Sequence, residues 1–329
     1  MIPSFRLFLS VLALTTLAGA HADPLAELTA LSNLKGLKLE NLAKGSLKSG
    51  SMPQMKFARG LGVEICYVVR KPLARTAELH TQWTPSQHPE LKVYLHGDLP
   101  AHPAAGDFAR LSSAPGNGAV KSFAASTLKL GGGGTKLQVS NADAKSAPSE
   151  GSGGPMPASV TAFWSGVLAQ RAQAYASGGL GKLPPYETAG ETVRVSDEVA
   201  RLLQEAPKVR SQFSGLIGKG SPSMYWELFD ADDQAAVSLG ASYSKKSADS
   251  FQSAEVQYYS SGGFYALLTF YQMWPVNLDG QDCTLVWRGD LISSAELGSR
   301  PPTERMGATS AMIRETEKSV KAFLADTSK

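Results

Sequence analysis

The sequence predicts an α+β protein: an antiparallel β-sheet meander with flanking helices and a long C-terminal helix. First, residues 223–293 hold alternating, aromatic-rich runs separated by short turn signals, which is typical of neighbouring antiparallel strands. Second, residues 158–217 repeat apolar side chains at helical spacing. Third, the closing stretch 303–326 carries one apolar helical face, which consists of Met306, Ile313, Val320, Phe323 and Leu324.

The first 22 residues have the order of a secretory signal peptide. A positive charge at Arg6 precedes an apolar run that ends at Leu17, and small residues follow, so cleavage is expected after Ala20 or Ala22. An uncleaved membrane anchor is the alternative, but the apolar run is shorter than the roughly 20 residues that span a bilayer. The sequence therefore predicts an exported protein, either periplasmic or secreted.

Composition narrows the class of protein further. Hydrophobic residues make up 43% of the chain and charged residues 19%, which indicates a globular protein with a sizeable core. The net charge is only +3 and no basic cluster with interleaved aromatic residues is present, which argues against a nucleic-acid partner. The leucine- and lysine-rich residues 24–48 predict a short helix packed on the domain, with weak membrane contact as the alternative.

Strands and short helices alternate in the first part of the predicted mature chain. Residues 60–71 alternate in side-chain character and are rich in β-branched residues, which predicts a first strand that Pro72 ends. A short helix is expected over 72–83. A second strand is expected over 90–99, because its apolar side chains recur at every other position.

A change of composition suggests a boundary in the middle of the chain. Gly, Ser and Ala dominate residues 131–156, which is typical of a flexible linker or mobile loop. This stretch separates an N-terminal part, 23–130, from a C-terminal part, 157–329. Alternatively, the C-terminal part and residues 50–130 form one domain across the linker.

Turn and helix-stop signals order the second part. Helices between 158 and 217 are expected to stop at Gly179 and to break or kink at Pro207. An acidic turn near Asp230, a second turn near Gly262 and an Asp279-Gly280 turn then separate the predicted strands. Residues 254–276 are read either as two strands or as one long strand with a glycine bulge.

This order of elements resembles the helix-grip fold of START-like lipid-binding domains, with residues 158–217 as a helical insertion. The resemblance is one of topology, without a sequence motif. It implies a curved sheet that wraps a C-terminal helix around a cavity, and a first strand that pairs with the last. Cys66 and Cys283 would then lie on neighbouring strands, and an exported protein permits a disulfide between them. Two buried free thiols are the alternative.

All histidines after the predicted leader fall in one short window, and three of the four have an acidic residue nearby: His80, His88, His96 and His102. Metal sites usually use closer pairs than these spacings of eight, eight and six residues. Surface or helix-capping histidines are therefore favoured over a metal site. His96, beside Asp98 on a predicted strand, is the most site-like.

No other motif in the sequence indicates a catalytic or cofactor-binding function. Ser-x-x-Lys occurs at Ser32, Ser126 and Ser242, but the companion motifs of penicillin-recognising enzymes are missing. The sequence contains no G-x-S-x-G, H-E-x-x-H or Walker A motif. The sequence therefore predicts no cofactor and no metal, and catalysis is not the favoured interpretation.

Aromatic side chains are dense in the last third, and both faces of residues 264–274 are largely apolar. One face is expected to pack on helices, so the other face can line a pocket for an apolar ligand. Arg288 adds either an anion contact or a structural ion pair with Asp290. The predicted ligand-binding residues are Trp226, Tyr258, Tyr265, Tyr271, Trp274 and Arg288.

These observations favour an exported, non-catalytic protein that binds a lipid or another apolar small molecule in the cell envelope. One alternative is an envelope hydrolase that uses His96 with Asp98, or Glu227. A second is an assembly factor that binds an envelope protein through the helices of residues 158–217.

Overall fold

A computed structural model describes residues 23–133, 135–187, 191–231 and 233–328, without the side chains of residues 302 and 303. The predicted signal peptide, 1–22, lies outside the described residues. An eight-stranded antiparallel sheet has the order β1-β2-β8-β7-β6-β5-β4-β3. Its strands are β1 (Lys48–Ser51), β2 (Gly60–Val69), β3 (Val93–Leu99), β4 (Ser223–Ala231), β5 (Gln234–Lys246), β6 (Phe251–Ser260), β7 (Ala266–Leu278) and β8 (Gln281–Ser293).

Helices precede, separate and follow these strands. Two short ones open the described chain, α1 (Pro24–Leu31) and α2 (Leu39–Ala43), and α3 (Leu73–Gln82) joins β2 to β3. Between β3 and β4 lie α4 (Gly118–Leu128), α5 (Asn141–Ser146), α6 (Ala158–Gly178), α7 (Val195–Glu205) and α8 (Pro207–Gln212). The described chain closes with α9 (Ala295–Ser299) and α10 (Pro302–Thr327).

The predicted fold class is confirmed. The strands β4 to β8 pair consecutively as an antiparallel meander, and the first long strand, β2, pairs with the last, β8. The stretch 254–276 forms two strands, because Gly263 adopts a positive φ in the turn between them. Pro207 ends α7 and opens α8, because proline lacks the backbone N–H that a helix interior needs.

The two faces of the sheet carry different cores. Helices inserted between β3 and β4, together with α1 and α2, cover one face and form the larger core. On the opposite face, α10 contacts β1 and β2, and α3 contacts β7 and β8. Ile65 and Tyr67 of β2 pack there with Val320 and Phe323 of α10 in a smaller core. All ten residues of β2 are buried because both of its faces are covered.

The stretch predicted to be a flexible linker, 131–156, is attached to the sheet at several points. Leu137 and Val139 are buried, and the Gln138 N–H donates to the Ser261 carbonyl at 2.8 Å. The Ser140 hydroxyl caps α5. The longest continuous exposed run among the described residues of this stretch is 149–154. Strands from both sides of the stretch belong to the same sheet.

The predicted disulfide is not formed, although the strands of the two cysteines are neighbours. Cys66 and Cys283 are buried free thiols. Cys66 faces Trp287 in the β2–β8 register, so Cys283 lies four residues away along the strand. That offset corresponds to roughly 13 Å at about 3.3 Å per residue. A disulfide requires Cα atoms within about 7 Å.

Glu64 shares the face of Cys66 and is fully satisfied inside the larger core. Its carboxylate accepts hydrogen bonds from the Ser32 hydroxyl at 2.7 Å, the Asn33 N–H at 2.9 Å and the Trp287 indole N–H at 2.9 Å. Three donors therefore replace water around this buried carboxylate. None of the described helices is long and apolar enough to cross a membrane.

Candidate functional site

The face of the sheet beneath α3 and α10 changes from apolar to polar toward β3–β6. Because alternate residues of a strand share a face, the register places charged and phenolic side chains together there. We call this region the polar groove. It is formed by His96, Asp98, Tyr225, Glu227, Glu255, Tyr271, Arg288 and Asp290.

Glu255 of β6 lies at the centre of the polar groove. Its cross-strand neighbours are Ser242 on β5 and Thr269 on β7. The carboxyl is partly exposed, and no group of the described residues donates a hydrogen bond to it. Burial raises the pKa of Glu255, the positive charge of Arg288 opposes this rise, and the negative charges of Glu227 and Asp290 add to it, so the pKa lies at about 7. Near neutral pH this carboxyl therefore exchanges between acid and base forms.

Small residues of β5 lie on the same face as Tyr225 and Glu227. Ser238, Gly240 and Ser242 face the polar groove in succession, and the Tyr225 ring lies across Gly240. Any Cβ at Gly240 would collide with that ring, so the position requires glycine. The Ser238 hydroxyl is buried without a hydrogen-bond partner among the described residues. Burial and the nearby Glu255 raise the pKa of Tyr225, so this phenol stays neutral.

His96 connects two carboxylates at one end of the polar groove. Its Nδ1 lies 3.1 Å from Glu227 Oε1 and its Nε2 lies 3.5 Å from Asp98 Oδ1. The imidazole also stacks on Tyr225, with ring centroids 5.3 Å apart. Burial lowers the pKa of His96, but hydrogen bonding to Glu227 and the two negative charges outweigh it and raise the pKa overall. A higher pKa favours the protonated imidazole, and a protonated imidazole cannot accept a further proton as a general base.

Arg288 and Asp290 close the other end and fix α10 to the sheet. Arg288 Nε donates to both Asp290 oxygens, at 3.1 and 2.9 Å. Asp290 also accepts from the hydroxyls of Thr269 at 2.7 Å and of Thr316 on α10 at 3.1 Å. The guanidinium lies 5.4 Å from the centre of the Tyr271 ring. The ion pair predicted from the spacing of these two residues is present, and its charges are paired rather than free.

His80 reaches the same face from α3. Its Nε2 lies 3.0 Å from the Ser253 hydroxyl, and its ring centroid lies 4.2 Å from that of Tyr271. Burial and the charge of Arg288 lower the pKa of His80 to about 4. The imidazole is therefore neutral in the folded protein at neutral pH.

This lowered pKa predicts acid sensitivity. As pH falls from about 6.5 to about 4, the unfolded chain takes up the proton before the folded chain does, so the free energy of unfolding decreases. We expect His80→Gln to remove roughly 2–3 kcal/mol of this decrease, because one pKa unit corresponds to about 1.4 kcal/mol. Urea unfolding at pH 7 and pH 4.5 measures it. His102→Gln, at an exposed position, is the control; equal acid sensitivity in both variants would contradict the assignment.

The six predicted ligand-binding residues do not converge on one site. Tyr271 and Arg288 lie in the polar groove. Trp226, Tyr258 and Trp274 belong to the larger core on the opposite face. There, Tyr258 stacks on Tyr175 at 3.9 Å and the Trp274 indole donates to Glu27 at 2.6 Å. Tyr265 follows the β6–β7 turn and packs on Tyr186.

The residues of the alternative hydrolase hypothesis are brought together, since His96, Asp98 and Glu227 are in contact. The remaining histidines are separate: His88 pairs with Asp326 of α10 at 2.7 Å, and His102 is exposed. The described residues contain no group of three His, Cys, Asp or Glu side chains that could hold a metal ion.

Sequence reasoning missed Glu255. The available signal was the alternation of Glu255 and Gln257 with the apolar Ala254, Val256 and Tyr258, which is also the pattern of a strand with one solvent-exposed face. Comparison with models of known protein families finds no match, and comparison with curated proteins finds no significantly similar sequence.

Proposed function

We propose that this protein binds a small amphipathic cation, an ammonium group attached to an apolar body, in the polar groove. The observation that carries the proposal is the position of Glu255, a partly exposed carboxyl without a hydrogen-bond donor among the described residues. Buried polar groups normally find partners, so a partly exposed carboxyl without one is suited to an external donor.

The charges around Glu255 favour a cation. Arg288 is paired with Asp290, and His96 is shared between Glu227 and Asp98. When Glu255 ionises, the polar groove therefore holds more negative than positive charge. A bound ammonium would supply the missing charge and favour the ionised carboxylate.

Aromatic rings suit the apolar body of such a ligand. Tyr225 and Tyr271 lie on either side of Glu255, and the Glu255 charge is among the causes that raise the pKa of both phenols. Aromatic side chains that flank a carboxylate are a common arrangement for organic cations. The prediction of an exported protein that binds a lipid or other apolar molecule is thus narrowed to an amphipathic cation, with a periplasmic or secreted location retained.

Calorimetric titration with three matched probes tests the proposal: octylammonium, octanol and octanoate at pH 8 and pH 5. We expect octylammonium to be the probe whose binding depends on Glu255. At pH 5 its affinity should fall by up to about 100-fold, because only the ionised fraction of Glu255 is competent. Glu255→Gln should weaken binding at pH 8 and remove the pH dependence.

Glu40→Gln, at an exposed position on α2, is the matched control and should bind as the native protein does. Octylammonium binding that Glu255→Gln leaves unweakened at pH 8, or an unchanged pH dependence in Glu255→Gln, would refute the proposal.

A second candidate is a hydrolase, the alternative that the sequence suggests for His96, Asp98 and Glu227. The pKa of Glu255, about 7, suits this carboxyl to act as the general base, because catalytic bases work best with a pKa near the working pH. Ester and amide hydrolysis that is lost in Glu255→Gln but kept in Glu40→Gln would favour the enzyme.

The third hypothesis, a protein-binding assembly factor that uses residues 158–217, stays a prediction. In α6, Val160, Trp164 and Leu168 pack into the larger core, so this apolar face is not available to a partner.

A further inference from the structure

Two neighbouring cavities lie on the opposite face of the sheet from the polar groove. An apolar cleft of about 400 Å³ lies between α7, α8 and β7 and is lined by Leu203, Phe213, Ile217 and Phe270, among others. A second cavity, of about 730 Å³, is lined by Lys219, Lys245, Gln252 and several serines. Ser214 and Gly215 border both cavities.

The wall between the cavities is a glycine-rich loop that follows α8. Gly215, Gly218 and Gly220 have φ angles of 75°, 79° and 80°, which side chains with a Cβ rarely adopt. A Cβ at Gly215 would lie 2.7 Å from the Lys219 Nζ, so the loop folds the ammonium group of Lys219 back toward the boundary between the cavities.

The polar cavity offers positive charge without an internal counterion. The ammonium groups of Lys219 and Lys245 make no hydrogen bond or ion pair within the part of the chain that the structure describes. In contrast, Gln212 and Gln252 both donate their side-chain amides to Gln272, at 2.9 and 2.8 Å. The glutamines are therefore fixed, whereas the lysines are available for an anion.

We propose that the two cavities form one binding site for a single-chain fatty carboxylate. The alkyl chain would occupy the apolar cleft against Phe213, Ile217 and Phe270, and the carboxylate would lie in the polar cavity with Lys219 and Lys245. Charge complementarity selects the anion, because an amphiphile with a positive head would place like charges together. This site is independent of the polar groove and of its proposed cation.

Calorimetric titration of the intact chain with octanoate, decanoate and decanol tests the proposal. We expect affinity to rise about threefold to fourfold for each added methylene, because each methylene buries further apolar surface. We also expect decanoate to bind at least tenfold tighter than decanol. The double variant Lys219→Gln/Lys245→Gln should remove the preference for decanoate over decanol. Ile217→Gln, at a half-buried position, should weaken both probes equally.

Two controls separate this site from the polar groove. Lys321→Gln, on the exposed side of α10, and Glu255→Gln should both leave decanoate binding unchanged. The double lysine variant should in turn keep octylammonium binding. Equal affinity for decanoate and decanol, no dependence on chain length, or binding only to anionic vesicles and not to monomeric decanoate would overturn the proposal.

Discussion

Replacing Asp143 with alanine should lower the free energy of unfolding by about 3–5 kcal/mol, because it leaves a buried charge without its partner. Asp143 Oδ2 lies 2.6 Å from Nη2 of Arg171, and Arg171 is only 1% exposed. Burial raises the pKa of Asp143, but the charge and hydrogen bonds of Arg171 and Ser140 lower it overall, so the pair is ionised. Without Asp143, the Arg171 guanidinium retains two contacts. Its carbon lies 4.5 Å from the centre of the Tyr259 ring, and its Nη1 donates a 3.4 Å hydrogen bond to the Val167 carbonyl.

Urea denaturation measures this loss, and a second variant separates charge from packing. Asp143→Ala/Arg171→Met should regain much of the stability, since removing both charges leaves none buried and unpaired. Limited proteolysis of Asp143→Ala should cut within 135–148 as well as at the exposed residues 149–154. Glu315→Ala, at an exposed i,i+3 ion pair with Lys318, is the control and should change stability by under about 0.5 kcal/mol. An Asp143→Ala variant as stable as this control would contradict the argument.

Replacing Glu255 with glutamine should stabilise the protein at pH 8 by roughly 2–3 kcal/mol, against the usual direction for a substitution in a sheet. The folded-state pKa of about 7 lies above the ordinary value of 4.5. The folded chain therefore holds this proton more tightly, and stability falls as pH rises from about 4.5 through 7. Glutamine cannot ionise, so the difference between variant and native protein should vanish near pH 4.

Urea denaturation at pH 4, 6 and 8 follows this difference, with Glu40→Gln as the matched exposed control. If Glu255→Gln is more stable at pH 8 and also loses octylammonium binding, then Glu255 serves ligand binding and lowers the stability of the protein. Destabilisation at every pH would instead make Glu255 a structural partner of Arg288.

The meander could be predicted from the sequence because it depends on local sequence signals. Alternation and short turns define β4 to β8, and consecutive strands joined by short turns pair with one another. The placement of the Cys66 strand beside the Cys283 strand came from the topological resemblance, and the structure agrees. The prediction of a disulfide was wrong because the packing of both faces sets the strand register. The positions of two cysteines in the sequence do not determine that register.

The candidate site could be predicted only in part. His96, Asp98 and Glu227 were named for their chemistry, and Tyr271 and Arg288 for their place on aromatic strands. Glu255 lies between them because of how β4 to β8 pair and because the inserted helices cover the opposite face of the sheet. Neither feature can be read from the residues around Glu255 alone. Likewise, the average composition of residues 131–156 suggested a linker. Leu137 and Val139 nevertheless pack into the larger core and hold this segment against it.

The pairing of β2 with β8 has a consequence for how the chain folds. Cys66 and Trp287 face each other in this pair although they stand roughly 220 positions apart in sequence. Contacts of such long range form late, because the chain must first close a large loop. The local hairpins from β4 to β8 can form earlier. Until β8 is available, the edge of β2 that faces β8 stays unpaired, although all ten residues of the strand are buried in the finished fold. We therefore expect β2 to be the segment most prone to association while the chain is incompletely folded.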